Sequence, residues 1–491
     1  MDKSKLVSFL KKPSLILALI LLAFFIKGVF LADLFPIFSG QDEAKHYNTV
    51  QFKLEPKNKN LPMSYDVSVM KRGDFSTYNY SQEIRETAST INSYKIKSEP
   101  YDAMSFNDGY EGKGEDQINS KQWMLDNNEY STDIAGGGLN LYHTLASYIE
   151  KFLSSKSILV RFFSIRVFSV LLGTLTIYLA YLIAVSIGFS RKISLLLTAI
   201  ISFLPALSIY YISINYDALL ILVFALFTLG GILSLKEGLN VKNALMMAAS
   251  VAIGILTKET AIVLLPVFVI LVFYALYKNH KAGKFNAKYL VYFLVLLLVV
   301  FLILFQSYSW DKILNLKKGV GFIDGIKSLD IKNYVSESFG MGRILQTGNG
   351  YWGNLGWEEN IITGNALHFI WIIEAFSVVG LAMFFFSKKK YDYLPEKKYV
   401  LFLILMIITL QLGIRYADLT LFSRTGEIYL GAPGRYFLPN LISHFILIFT
   451  GLGALFKKNY YLDISLKIGL ILSISYCFYI IFDIVIPRFY L

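Results

Sequence analysis

The chain has 491 residues, 55% of them hydrophobic, 16% aromatic and only 17% charged, against the quarter or so of charged residues usual in soluble chains. A formal net charge of +12 would suit nucleic acid only if basic residues gathered on a polar surface. Here they form short clusters between apolar runs of roughly 18 to 25 residues, the length that crosses about 30 Å of hydrocarbon. That pattern excludes a soluble multidomain protein and a nucleic-acid binder, and predicts an all-α polytopic membrane protein, a single membrane domain over 1–491 with about eleven spans. Cys477, the single cysteine, lies in an apolar stretch, so there is no disulfide framework.

The first span is expected at about Ser14 to Phe38, after Lys3, Lys5, Lys11 and Lys12. A basic start before an apolar run also begins a signal peptide. The lack of a small-residue cleavage site and the further spans favour a retained helix. Lys27 and Asp33 interrupt this span and should point into the bundle or to an interface. A polar stretch follows, forming a large first extracytoplasmic loop over 39–156, with Gly136, Gly137 and Gly138 as a joint. Further spans are expected at about 158–187, 193–212, 217–235, 243–257, 260–277, 289–306, 365–386, 399–414, 436–456 and 464–487, with outer loops at 307–364 and 415–435.

Lysine and arginine concentrate at the N-terminus and in alternate connections, including Arg191 and Lys192, Lys236 and Lys242, Lys278 to Lys288, Lys388 to Lys398, and Lys457 to Lys467. By the positive-inside rule that side is cytoplasmic, which predicts N-in, C-out.

The opposite face collects polar residues from separate segments: Gln41-Asp42-Glu43 and His46, Asn215-Tyr216-Asp217, Lys258-Glu259, Trp352 to Trp357, and Arg415 to Arg435 with Arg424 between them. Each has a bland reading. Asp42 and Glu43 can be hydrated interfacial carboxylates, and His46 a packed histidine. Asp217 can cap the fourth span, and Lys258 with Glu259 can close a turn. Trp352 and Trp357 can be interfacial anchors, and the arginines can meet acidic side chains or lipid head groups. Their convergence on one face suits a reaction joining a phosphorylated lipid and a sugar. A carboxylate removes a proton from a hydroxyl, cationic groups hold a phosphate leaving group, and indoles stack on a sugar ring.

These motifs resemble the C-superfamily polytopic membrane glycosyltransferases, and their order over essentially the whole chain is similar to domain-of-unknown-function family 2142. The matching residues are Asp42-Glu43 with His46, Ser164-Ile165-Arg166-Val167, Asn215-Tyr216-Asp217, Leu256-Thr257-Lys258-Glu259-Thr260, Trp352 to Trp357, and Gly434-Arg435-Tyr436-Phe437-Leu438-Pro439. Leu355 replaces the family's usual Phe, and Leu139-Asn140-Leu141-Tyr142-His143 replaces its Pro-Pro-Leu-Tyr.

The resemblance implies transfer of a sugar from a polyprenyl-phosphate-linked donor to a cell-surface acceptor: a wall glycan, teichoic acid or glycolipid. Asp42 would be the general base, with Glu43, catalytic beside it, and His46 positioning the acceptor. Arg435, Lys258, Arg415 or Arg424 would hold the phosphate, and Asp217, Trp352, Trp357 and Tyr436 would line the substrate site. No motif demands a cofactor, although the spacing of Asp42, Glu43 and His46 can also serve a divalent metal. The Lys- and Asn-rich composition suggests a low-GC bacterium, with the site facing outward from the plasma membrane. Two other readings stay open: a flippase or transporter of lipid-linked sugars, and a ligase or polymerase of lipid-linked oligosaccharides.

Overall fold

The computed structural model describes residues 15–54, 81–90, 140–238, 240–281, 330–353, 364–387, 391–426, 432–456 and 459–490, with isolated positions between them. The joint at Gly136–Gly138, the expected span at 289–306 and Trp357 lie outside the described residues.

All regular elements among the described residues are helical. In chain order they are α1 (Leu15–Leu34), α2 (Glu43–Phe52), α3 (Gln82–Thr90), α4 (Leu141–Phe152), α5 (Ile158–Ser186), α6 (Arg191–Ser202), α7 (Pro205–Tyr211), α8 (Asp217–Glu237) and α9 (Val241–Thr257). A 3₁₀ turn (Glu259–Val263) leads into α10 (Leu264–Lys281). Then come α11 (Ile331–Ser338), α12 (Met341–Trp352), α13 (Gly364–Phe386) and α14 (Lys397–Thr425). A second 3₁₀ segment (Gly434–Asn440) precedes α15 (Leu441–Leu455), and α16 (Asn459–Tyr479) continues through a π segment into α17 (Ile486–Tyr490).

Eight helices among the described residues are long and apolar enough to cross a membrane, nine if α6 and α7 form one span bent by 64°. The 17-residue α9 is shorter but equally apolar. Helices therefore occupy ten of the eleven expected segments, and three boundaries differ. The segment at 193–212 is broken where Pro205, which has no N–H, opens a new helix. The helix expected to end at 414 runs on to Thr425. The last one continues to Tyr490 through its π segment.

The break between α6 and α7 explains Lys27. A helix end leaves carbonyls without partners, and such a carbonyl at membrane depth is costly. Lys27 Nζ donates to the Ser202 carbonyl at 2.5 Å and to Ser208 Oγ at 2.8 Å, one group on each side of the break. Asp33 is exposed, at the end of α1.

Burial sorts the spans. Of the α8 span, 83% is buried, and of the Gly434–Leu455 span, 78%; α1, α13 and α16 stay below 30% and turn large apolar side chains outward. The α13–α15 pair is held by small residues: a Cβ on Gly380 would lie 1.9 Å from the Gly451 carbonyl oxygen. Close approach of backbones through small residues is a usual way for helices to pack in lipid.

Helices α2, α3 and α4 sit at the end of the bundle where α1 finishes and α5 begins. Arg161, fully buried at the start of α5, pairs with Glu150 of α4 and Glu83 of α3, and its Nη1 donates to the Tyr47 hydroxyl of α2 at 2.9 Å. Tyr47 in turn donates to Glu150 at 2.8 Å. One guanidinium thus ties three non-spanning helices to the bundle.

Replacing Gly380 with Ala should destabilise the purified protein by about 1–3 kcal/mol through overpacking, read as a lower thermal midpoint in detergent. Gly342→Ala, where a Cβ would meet nothing within 4 Å, should leave that midpoint unchanged.

Candidate active site

The turn after α1 has an unusual backbone. Phe38 and Asp42 have φ values of 66° and 54°, in the left-handed region that Asp tolerates better than most residues. Asp42 stands at the N-cap of α2, yet its side chain makes no capping bond. Its Oδ2 accepts from Arg435 Nη2 at 3.0 Å instead, with the carboxylate 31% exposed and the guanidinium 10%. Local strain at such a position is usually sustained by surrounding structure and concentrates at functional sites.

Arg435 reaches Asp42 because Gly434 lets the 3₁₀ segment lie directly on α12. A Cβ on Gly434 would fall 2.2 Å from the Thr347 carbonyl oxygen and 2.3 Å from the Tyr351 amide nitrogen. Arg435 Nε and Nη1 are buried and have no hydrogen-bond partner among the described residues. A buried guanidinium with donors to spare is a fork suited to phosphate oxygens.

A second ion pair lies alongside. Lys258 Nζ meets Asp217 Oδ1 at 2.9 Å, 4.0 Å from the Tyr436 ring centre and 4.6 Å from that of Tyr216. The Arg435 guanidinium lies 5.3 Å from the Tyr436 centre, so the two cations share one aromatic ring. Asp217 is not the cap of α8; its own N–H donates to Asn215 Oδ1 at 2.8 Å, which leaves its carboxylate for Lys258. Burial opposes the charge on Lys258, but Asp217 and the phenols of Tyr216 and Tyr436 hold its pKa above the ordinary lysine value. Burial pushes the Tyr216 phenol up to about 12 against the pull of Lys258.

Glu43 is held differently from Asp42. It is fully buried and bound by Arg166 as a fork, Nε to Oε1 at 2.8 Å and Nη2 to Oε2 at 2.7 Å. The Gly40 and Ile214 amides each donate to it at 2.9 Å. Arg166 also donates to the carbonyls of Ala32, Phe35 and Pro36 at 2.8, 2.5 and 2.8 Å, satisfying the orphaned end of α1. Glu43 and Arg166 together lock the turn that carries Asp42.

His46, expected to meet the acceptor, is 3% exposed. Its Nδ1 lies 2.9 Å from His143 Nε2, and its ring packs edge-on against Tyr216 at 4.7 Å. It backs the site rather than facing it. With Glu43 held by Arg166 and His46 turned to His143, the trio Asp42, Glu43 and His46 does not fit a metal, and no group of three His, Cys, Asp or Glu among the described residues does.

The remaining expected residues divide. Tyr436 is in the cluster. The Arg415 guanidinium lies over Phe339 at 5.2 Å and Phe437 at 5.7 Å, with Nε and Nη1 buried and lacking a hydrogen-bond partner. Trp352 packs on Tyr351, His444 and Phe445 beside the cluster. The side chain of Arg424 lies outside the described residues. Sequence reasoning passed over His143, and quoted Arg166 without giving it a role. It also missed Arg161 and, within spans, Glu374 and His444. A charge inside an apolar run was the available signal for Arg161, Arg166 and Glu374.

Residues 106–311 match the family model described as dolichyl-phosphate-mannose-protein mannosyltransferase. That stretch contains Arg166, Asp217 and Lys258 but neither Asp42 nor Arg435. No curated protein matches the chain. Among solved structures, the chain is similar to a crystal structure of the Archaeoglobus fulgidus oligosaccharyltransferase tethered to an acceptor peptide. The identity is 12% and the TM-score 0.34, over 74% of this chain and 48% of that one. The chain thus spans about half the length of that protein.

Two outcomes follow from the site. Glu43→Gln should cost about 3–5 kcal/mol, as expected for breaking a buried ion pair, whereas Asp42→Asn, which neutralises a carboxylate that is 31% exposed, should cost less; thermal melts of the two variants in detergent decide it. His143 is held well below the usual histidine pKa, first by burial and then by His46 and Lys53. Its folded-state pKa is depressed, so the unfolded chain binds the proton more readily. The stability linked to it is complete above the unfolded value near 6.5 and drains away as pH falls below that. Melting midpoints across pH 7.5 to 5 should decline, with a shallower slope in His143→Gln.

Proposed function

We propose that this chain is a polytopic membrane glycosyltransferase that takes a sugar from a polyprenyl-phosphate-linked donor and places it on an acceptor glycan at the extracytoplasmic face. The observation that carries the reading is the Asp42–Arg435 pair: a partly exposed carboxylate against a buried guanidinium with unused donors. The match of residues 106–311 to a mannosyltransferase family supports the reaction class and a lipid-linked donor. The clustering of Lys/Arg in alternate loops supports the outward orientation, and the order of motifs supports placement near family 2142.

In this mechanism the donor phosphate docks on Arg435, assisted by Lys258. That contact draws the guanidinium away from Asp42 and frees the carboxylate to meet an acceptor hydroxyl. An acceptor hydroxyl attacks the anomeric carbon, its proton passes to Asp42, and the bond from that carbon to the phosphate oxygen breaks. The lipid phosphate leaves with the bonding pair, stabilised by Arg435. Attack from the face opposite the leaving group inverts the anomeric centre. Glu43, Arg166 and His46 touch no reacting atom; they fix the turn and the wall against which the reaction runs. A teichoic acid, wall polysaccharide or glycolipid would serve equally as acceptor.

The ligase reading shares these residues and differs only in transferring a whole oligosaccharide. The flippase reading needs ionisable groups along a transmembrane path; Lys27 and Arg166 are instead committed to helix ends, and Glu374 and His444 meet each other within their spans.

Supplying membranes with a labelled polyprenyl-phosphate monosaccharide should move label into polymer. Asp42→Asn should lower the rate by about 10²–10⁴-fold, the usual weight of a general base, with the thermal midpoint retained. Near-normal transfer by a well-folded Asp42→Asn protein would sink the assignment of the base.

A further inference from the structure

A cavity of about 400 Å³ opens beside the Asp42–Arg435 cluster, between α12, α13, α14 and the 3₁₀ segment that carries Arg435. Among its lining residues are Trp352, Trp371, Glu374, Gln411, Asn440 and His444. We infer that this cavity is a second subsite that binds a neutral pyranose, with Trp352 and Trp371 as stacking walls and Glu374, Gln411 and Asn440 as partners for its hydroxyls.

The polar groups are what make this a site. Glu374 and His444 lie within the spans α13 and Gly434–Leu455, where an ionisable side chain is costly and usually functional. They meet at 3.3 Å, and His444 Nδ1 lies 2.9 Å from the Tyr351 hydroxyl. The Tyr351 hydroxyl and Glu374 thus take the two ring nitrogens of His444 and hold the histidine between them. Asn440 is 4% exposed. Its Nδ2 donates to the Met406 carbonyl at 2.6 Å, while its buried Oδ1 has no hydrogen-bond partner among the described residues. An unpaired buried acceptor is worth satisfying.

The chemistry of the lining selects the ligand. A carboxylate and an amide oxygen accept hydrogen bonds, so the fitting molecule offers several donors. The indoles present flat apolar faces, with Trp371 laid close over Gly348: a Cβ there would be 3.2 Å from its ring. A molecule with hydroxyls around its edge and C–H bonds on its face answers both. An isoprenoid chain would answer only the indoles and leave the Asn440 amide oxygen without a partner. The volume falls in the range of small-ligand pockets, roughly 300–1,000 Å³. Phe437 and Asn440 belong to the same 3₁₀ turn as Arg435, so a sugar here would sit next to the phosphate fork. The glycosyl-transfer reading is needed only to say where such a sugar comes from, from the donor or from the growing acceptor.

The test is binding without turnover, so it can succeed or fail independently of transfer activity. Full-length protein in nanodiscs is titrated with methyl glycosides of glucose, galactose, mannose and N-acetylglucosamine, and tryptophan fluorescence is followed. The expected result is a saturable change with at least one glycoside, weakened tenfold or more in Trp371→Leu and in Glu374→Gln. Gln411→Leu serves as a further variant should Glu374→Gln lose its melting transition. If the subsite holds an acceptor sugar, a short prenyl-phosphate glycoside binds no more tightly than the methyl glycoside. If it holds the donor sugar, a short prenyl-phosphate glycoside binds more tightly than the methyl glycoside, and both Arg435→Ala and Glu374→Gln weaken it. No saturable response across the panel, a response untouched by these variants, or displacement by geraniol or choline in place of sugars would overturn the assignment.

Discussion

The Glu43–Arg166 pair is the constraint on which the rest of the site depends. Arg166 projects from the apolar span α5 and cannot remain charged there without compensation. It finds that compensation in one carboxylate and three carbonyls at the end of α1. Glu43 in turn accepts amides from both sides, Gly40 in its own turn and Ile214 before α8. Four segments are thereby fixed to one another by a fully satisfied polar knot, the condition under which a buried network specifies one geometry. Asp42 precedes Glu43 in the chain. With its neighbour immobilised and its own backbone in the left-handed region, its carboxylate has one direction to take, toward Arg435.

The same logic recurs at each place where the bundle departs from plain apolar helix. Lys27 answers the broken span between α6 and α7. Arg161 answers the acidic side chains of the three short helices. Lys258 answers Asp217 at the start of α8. In every case a cation from one segment meets acceptors from another, so the polar residues work as cross-links. At Arg435, buried guanidinium donors remain without a hydrogen-bond partner among the described residues, and the carboxylate beside it is partly exposed. That asymmetry separates the candidate reaction centre from the structural ion pairs better than residue type does, since both use the same side chains.

The candidate centre and the neighbouring aromatic cavity are joined by one short 3₁₀ turn. Gly434 allows the turn to touch α12, Arg435 points to Asp42, Tyr436 lies against Lys258, and Phe437 and Asn440 line the cavity. Displacement of this turn would alter both places at once.

Much of the architecture was legible in the sequence, because hydrocarbon thickness dictates the length of a span and apolar runs of that length announce themselves. The loop-charge pattern and the gathering of Asp42, Asp217, Lys258, Arg435 and Tyr436 at one end followed from alternation along those spans. The bend at Pro205 and the commitment of Lys27 to it were not legible, since they depend on which carbonyl is left unpaired when two helices meet. Nor could the sequence divide Asp42 from Glu43. They are adjacent carboxylates of the same chemistry, and only the arrival of Arg166, 123 residues after Glu43, makes one a buried strut and leaves the other partly open. Glu374 and His444 are separated by 70 positions and become a pair only because Gly380 and Gly451 bring α13 and α15 into backbone contact. What the chain determined alone was the repeating apolar length and the side on which charge collects; which charges neutralise each other was decided by packing, because the cost of an unpaired charge in an apolar interior is settled only when its partner comes within reach.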